Sequence, residues 1–379
     1  MNIVFRVDAS NDIGTGHVMR CLALANTLRE KQANCLFVSR LHSGHLLEMI
    51  KSQGFNVEAL PNMEVAECST SAKLRLSSAA PSHAAWLGAD WAIDAQQTEA
   101  AIGKLDIDWV VIDHYGIDAS WERRLKAIAN HIMVIDDLAD RVHECDILLD
   151  QNWFGDAGKS RYQDLIPKQC VELLGPEFAL IRPVYSKARE HRPKREGSVQ
   201  RILIFLGGSD SENLTLRVLE ALQKNDLLSL VIDVVIGVNH PDPNSIEDFV
   251  STRPGSTLHY SLPDLANLML HADLMIGGGG STSWERMCLG LPSIVISIAD
   301  NQRATNIAMG KAGLVQYCGD ASAVTANSVA LAVRNCLSDP AALVRQSRMM
   351  QKLVDGLAIT RVADLLFNYE GNYAARKTH

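Results

Sequence analysis

His17 follows Gly14-Thr15-Gly16 where a polar loop gives way to a helical pattern. The apolar run Asn2 to Val7 leads into that loop, and behind it Val18, Cys21, Ala25 and Leu28 recur at helical spacing. Glycines let backbone amides close on a ligand, and a helix start offers N–H groups with partial positive charge. An anion is therefore favoured near Gly16 and His17. An imidazole titrates near neutrality, and the positive end of a helix favours its neutral, basic form. A histidine so placed can draw a proton from water; capping its helix or filling surface is the other reading. Arg20 stands one turn further on the same face, as a stabiliser of developing negative charge or a solvated side chain. A dinucleotide fingerprint is incomplete, because Met19 occupies the third glycine position of G-x-G-x-x-G.

A second set of residues lies far along the chain. Gly277 to Gly280 separate an apolar strand from a helix that opens at Ser281 or Thr282. Backbone amides and two hydroxyls at such a junction make a phosphate cradle. No Lys-Ser/Thr pair follows, so the loop is not a Walker A motif. Glu285, one turn past Ser281, is placed to accept hydrogen bonds from ribose hydroxyls or to cap its own helix. Gly207-Gly208-Ser209 closes the first strand of this half and could face the same ligand. His42 and His45 are three apart but have no third ligand at recognisable spacing, so no metal is expected. Asp136-Asp137 ends a strand, as a site pair or a helix cap, and Arg6 and Asp8 at another strand end are equally open.

These residues need strand ends and helix starts to hold them. CLFVSR, WVVIDHY, HIMVIDD and DILLD read as strands, with HLLEMIKSQG and WERRLKAIAN as helices between them. Such alternation predicts a parallel sheet with helices on both faces. KAREHRPKREGSVQR then reads as a linker, after which RILIFLGG, LSLVIDVVIG, DLMIGGGG and PSIVISI begin a second alternation. The expected organisation is a first domain over 1–185, a linker over 186–200 and a second domain over 201–379. The fold class expected is α/β, two Rossmann-like domains facing a cleft. The stretch 341–368 is long enough to pack back on the first domain. Residues 63–100 are rich in Ala, Ser and Thr and resist assignment.

Composition agrees with two filled cores: of 379 residues, 47% are hydrophobic and 21% charged. A net charge of −8 argues against a nucleic-acid groove, though not against an anionic small ligand. No apolar run reaches the ~18 residues of a membrane span. MNIVFRVDAS lacks the features of a signal peptide, which makes the cytoplasm the default compartment. The eight cysteines are scattered and read as reduced core residues.

DIGTGHVMRCLALA, together with GGGGSTSWE, GLPSIV and ADNQ in the second half, resembles the UDP-2,4-diacetamido-2,4,6-trideoxy-β-L-altropyranose hydrolases of the pseudaminic acid pathway. The resemblance covers nearly the whole chain. More distantly, the second half is similar to MurG-type glycosyltransferases of GT-B architecture. The hydrolase resemblance implies that His17 is the general base for a water that attacks the anomeric carbon. The product would be an inverted free sugar and UDP, made without metal or cofactor, on a route to flagellin glycosylation. It further implies that Tyr115, of the DHY triplet, lies close to the sugar, while His114 stands where related sequences often carry serine. Ser281 and Thr282, with Gly280 and Gly208 beside them, would hold the phosphates, and Glu285 the ribose. Asn301, with its neighbour Gln302, would reach toward the sugar–diphosphate. The expected partner is thus a UDP-linked diacetamido-trideoxy sugar, with no nucleic acid or membrane. A glycosyltransferase, an epimerase of the same fold and a non-catalytic sugar-nucleotide-binding module are the alternatives.

Overall fold

The computed structural model describes residues 1–62 and 81–369. Its first unit comprises 1–152, 156–180 and the C-terminal stretch from Ala358. The apolar runs become strands β1 (Asn2–Val7), β2 (Asn34–Arg40), β3 (Asn56–Leu60), β4 (Ile107–Asp113), β5 (Ala129–Ile135), β6 (Ile147–Asp150) and β7 (Val171–Leu174). Helices α1 (Gly16–Glu30), α2 (Leu47–Ser52), α3 (Trp91–Ile102) and α4 (Ala119–Leu125) connect them. The sheet is parallel, in the order β3-β2-β1-β4-β5-β6-β7. Side chains alternate across it: Ile3, Phe5 and Val7 of β1 join the core under α1, while Val4 joins the core of the opposite face. Each fully buried Ile or Val of this kind contributes about 1.5–3 kcal/mol. The strand order reverses between β1 and β4, where Val7 pairs with Asp113. Open α/β sheets bind ligands at the carboxyl ends of such a switch point.

The second unit holds 153–155 and 181–357. It contains α5 (Pro183–Glu190), β8 (Arg201–Phe205), α6 (Leu214–Leu222), β9 (Val231–Ile236), α7 (Pro243–Thr252), β10 (Ser256–Tyr260) and α8 (Ala266–His271). These lead to β11 (Leu274–Gly278), α9 (Thr282–Cys288), β12 (Ser293–Ser297), α10 (Asp300–Lys311), β13 (Gln316–Asp320), α11 (Ala326–Ser338) and α12 (Pro340–Leu353). Proline opens α5, α7 and α12, where its missing N–H costs nothing. This sheet is also parallel, in the order β10-β9-β8-β11-β12-β13, and its switch point lies between β8 and β11. Both glycine loops of this half therefore leave the carboxyl ends of adjacent strands.

Three expectations need adjustment. The stretch 186–200 is no free linker: its first residues continue α5, and its arginines are tied into the second unit. Arg189 donates to the carbonyls of Cys288, Gln351 and Val354, and Arg195 to those of Ala272 and Met269. The polar composition that suggested a tether is a set of guanidinium groups satisfying helix-end carbonyls. Residues 63–80 of the unassigned stretch lie outside the described residues; the remainder forms a 3-10 turn at Ala84–Leu87 and α3, capped by the Asp90 side chain. Finally, the expected C-terminal stretch divides. α12 stays in the second unit, and a separate helix, α13 (Ala358–Phe367), belongs to the first. Ile359, Val362, Ala363 and Leu366 stand at helical spacing on its apolar face and enter the core under α1. Trp109 of β4 donates to the carbonyl of Leu366.

Candidate functional site

In the first unit, β1 and β4 end side by side, and α1 starts above them. His17 is in the first turn of α1 and is 7% exposed. Its Nδ1 lies 2.5 Å from Oδ1 of Asp113, the last residue of β4. Asp113 has no exposure and also receives Arg20 in a forked pair, Nε to Oδ2 at 2.5 Å and Nη2 to Oδ1 at 2.6 Å. Burial works to raise the Asp113 carboxyl, but the charge of Arg20, with His17 behind it, overcomes this and holds it well below the usual carboxylate range. An ionised Asp113 makes Nδ1 the protonated nitrogen of a neutral His17. The Nη2 of Arg20, 3.2 Å from Nδ1, is then a neighbour of that nitrogen and a donor to the carboxylate. Nε2 of His17 has no hydrogen-bond partner among the described residues, and its lone pair is available to a water.

Tyr115 follows two residues after Asp113 and meets His17 edge to face, ring centroids 4.7 Å apart. Its hydroxyl donates to Asp137 Oδ1 at 2.5 Å, and Arg20 reaches Asp137 Oδ2 at 3.3 Å. One carboxylate thus joins Tyr115 to Arg20. Trp86 stacks on Tyr115 at 5.8 Å, and His83 lies 4.6 Å from Trp86 and 5.4 Å from Tyr115. Ser82, hydrogen-bonded to His83 and to Asp140, fixes the turn that carries them. At the end of β6, Asp150 is pushed up to about 7 by burial and by the charge of Asp137, with Arg161 opposing.

Arg6 and Asp8, left open by the sequence, are wholly buried. Arg6 bridges Asp8 Oδ1 and Asp94 Oδ2, each at 2.7 Å, and Arg40 adds a bond to Asp94 Oδ2 at 2.6 Å. Trp121 donates to Asp94 as well. His114 Nε2 and His42 Nε2 lie 3.2 and 3.5 Å from Asp8 Oδ2. His114 Nδ1 accepts from the Gly116 amide, which leaves the proton on Nε2, toward Asp8. Burial lowers His114, against the pull of Asp8. His42 therefore faces Asp8, while His45 accepts from its own helix at Leu47. Among the described residues no group of three or more His, Cys, Asp or Glu could hold a metal ion. Asp136, whose partner Asp137 joins the site, turns instead into a buried network with Arg141 and His143.

The second unit presents its glycine loops after β8 and β11. Gly207 has φ +99°, in the left-handed region that favours glycine. A Cβ on Gly279 would collide with the Asn306 side chain, so the loop lies directly on α10 at that point. Gln302 Oε1 accepts from Ile298 N at 3.1 Å, and its Nε2 sits 3.3 Å from where a Cβ of Gly280 would be. Asn301 is exposed in the first turn of α10, and Ser281 is exposed at the start of α9, with Thr282 half-buried beside it. Glu285 is not simply facing outward. Arg182 holds its Oε1 at 3.1 Å, and burial raises its carboxyl against that pairing.

No family model matches the chain. It is 25% identical over 319 residues to the UDP-2,4-diacetamido-2,4,6-trideoxy-β-L-altropyranose hydrolase of Campylobacter jejuni, covering 84% of this chain and 99% of that protein. It is 28% identical over 193 residues to the spore coat polysaccharide biosynthesis protein SpsG of Bacillus subtilis, 51% of this chain and 57% of that one. Among solved structures it matches MurG of Acinetobacter baumannii with a TM-score of 0.65 and 14% identity, over 97% of this chain and 99% of that one. The fold is GT-B.

With that fold, the sequence-expected residues fall into two groups. His17, Gly16, Arg20 and Tyr115 gather at the β1/β4 switch point of the first unit. Gly208, Gly280, Ser281, Thr282, Glu285, Asn301 and Gln302 belong to the second, on or beside the loops after β8, β11 and β12. Sequence reasoning missed Asp113, Trp86 and His83, and left Asp137 open between a site pair and a helix cap. Asp113 carried a signal, since it is the D of DHY at a strand end; the aromatic pair lies in the stretch whose pattern was unreadable. No helix among the described residues is long and apolar enough to cross a membrane.

Proposed function

We propose that this chain hydrolyses a UDP-linked amino sugar, UDP-2,4-diacetamido-2,4,6-trideoxy-β-L-altropyranose, to UDP and the free sugar in the cytoplasm. The observation that carries the reading is the His17–Asp113 pair, in which a buried, ionised carboxylate orients an imidazole whose Nε2 is left for water. Water loses a proton to Nε2 as its oxygen bonds to the anomeric carbon from the face opposite the leaving group. The bond from that carbon to the diphosphate oxygen breaks, the electron pair leaves with UDP, and the anomeric centre inverts. Asp113 stays ionised and stabilises the imidazolium. UDP is already a stable anion, so less assistance is needed than for an alkoxide. The Gly277–Gly280 loop with Ser281 and Thr282 is the proposed diphosphate site, and the stacked rings of Tyr115 and Trp86 the wall beside the sugar. Similarity to a named UDP-sugar hydrolase over 84% of the chain favours water over an added acceptor.

The test is a time course with the UDP-diacetamido-altrose substrate and no acceptor, following UDP and the first-formed anomer by NMR. Prompt UDP with inverted sugar is expected. Release that begins only when an acceptor is supplied would make the protein a glycosyltransferase, and a retained anomer would rule out direct attack by His17-activated water.

A further inference from the structure

GGGGSTSWE, from Gly277 to Glu285, contains no lysine or arginine. A cation nevertheless lies against its glycines. Arg286, in α9, has no exposure. Its Nη1 donates to the Gly278 carbonyl at 2.9 Å, its Nη2 donates to Ser283 Oγ at 2.8 Å, and its Nε is buried without a partner. A Cβ on Gly277 would stand 3.6 Å from Nη1, so the guanidinium rests on the loop backbone. The adjacent carboxylate, Glu285, forms its ion pair with Arg182 instead. Burial draws Arg286 down to about 9, with Glu285 opposing. Burying a cation with no carboxylate of its own is costly, and it is tolerated where an outside negative charge completes the site.

The hydrogen bond also sets a direction. In a trans peptide the C=O and the following N–H point opposite ways. Holding the Gly278 carbonyl toward Arg286 turns the Gly279 N–H away from it.

We propose that Arg286 is a positioning residue for the diphosphate of a nucleoside diphosphate ligand, aiming the Gly278–Gly279 peptide and supplying the positive charge that the loop's own sequence lacks. This rests on the UDP site proposed above. Affinity at the site then follows the phosphate charge of the ligand more than its nucleoside.

The experiment uses the full chain and measures binding of UDP, UMP and uridine to the wild type, Arg286→Gln and Arg286→Lys, by calorimetry and ligand-observed NMR. Arg286→Gln is expected to weaken UDP at least tenfold and uridine less than twofold, with UMP between them and Arg286→Lys recovering part of the loss. Equal losses for UDP and uridine, no better recovery by lysine than by glutamine, or unchanged UDP affinity overturns the proposal. Should Arg286→Gln fail to fold, Arg286→Lys carries the test: weaker UDP binding with uridine affinity held within twofold supports the proposal, and equal losses for both ligands, or unchanged UDP affinity, overturn it. A wild type that binds no UDP defeats the UDP-site reading itself, a result distinct from any of the variant outcomes.

Discussion

His17 Nδ1 and Asp113 Oδ1 lie 2.5 Å apart although 96 residues separate them in the chain. The pairing of β1 with β4 places both at one sheet end. Asp113→Asn keeps the shape and removes the charge that fixes the imidazole tautomer and steadies its protonated form. UDP release should slow by roughly 10²–10⁴-fold. UDP affinity, proposed above to reside in the second unit, should stay unchanged. A variant that hydrolyses at the wild-type rate would remove Asp113 from the mechanism.

In the proposed site the Trp86–Tyr115 stack bears on the sugar rather than the nucleotide. Aromatic contacts of this kind carry about 0.5–1.5 kcal/mol beyond simple burial. Trp86→Ala is expected to raise KM for the UDP-sugar about 2- to 12-fold, with UDP affinity as in the wild type. Steady-state kinetics beside UDP calorimetry separates the two. If UDP binding weakens as much as KM rises, the wall does not face the sugar.

Asp94 is the shared acceptor of Arg6 and Arg40, all three without exposure. Asp94→Ala leaves Arg40 without a carboxylate in the interior and Arg6 with Asp8 alone. Breaking a buried pair this way costs about 3–5 kcal/mol. Urea unfolding followed by circular dichroism should show a loss of that order, and a loss below about 1 kcal/mol would be typical only of an exposed pair.

His143 provides a pH dependence. Burial pushes it down, but Glu122 at 2.7 Å and Asp136 at 3.9 Å outweigh burial and raise it to about 9. Arg141, also on Asp136, is the other charge facing this pocket. A histidine raised on folding stabilises the protein fully below its unfolded value near 6.5, and that stability is lost as pH climbs through 9. The contribution is about 3 kcal/mol at most. Unfolding free energies measured at pH 6 and pH 9.5 should differ by less in His143→Gln than in the wild type. Equal differences in the two proteins would count against a charged His143.

The glycine loops, the helix start at His17 and the strand alternation were legible because each is local: one residue's neighbours in sequence fix it. Asp113 was not assigned its role because its contact with His17 depends on which strands are neighbours, and β1 pairs with β4 across two intervening strands of sequence. Arg6, Asp8 and His114 could be read either way until their burial with Asp94 was seen, since a charge at a strand end has no pattern that distinguishes a site from a buried pair. Trp86 and His83 lay in an Ala- and Ser-rich stretch with weak periodicity, where no face repeats strongly enough to predict an element. The supposed linker misled for the opposite reason. Its arginines looked solvated and are hydrogen-bonded to carbonyls.

The position of α13 has a consequence for biosynthesis. Ile359, Val362, Ala363 and Leu366 complete the core beneath α1, yet the ribosome makes them more than 300 residues after α1 begins at Gly16. The N-terminal half must emerge, and wait through synthesis of the entire second unit, with that hydrophobic surface uncovered. Nascent chains stalled before Ala358 should therefore engage holdase chaperones and remain protease-sensitive in their first half, becoming resistant only when the last helix clears the exit tunnel.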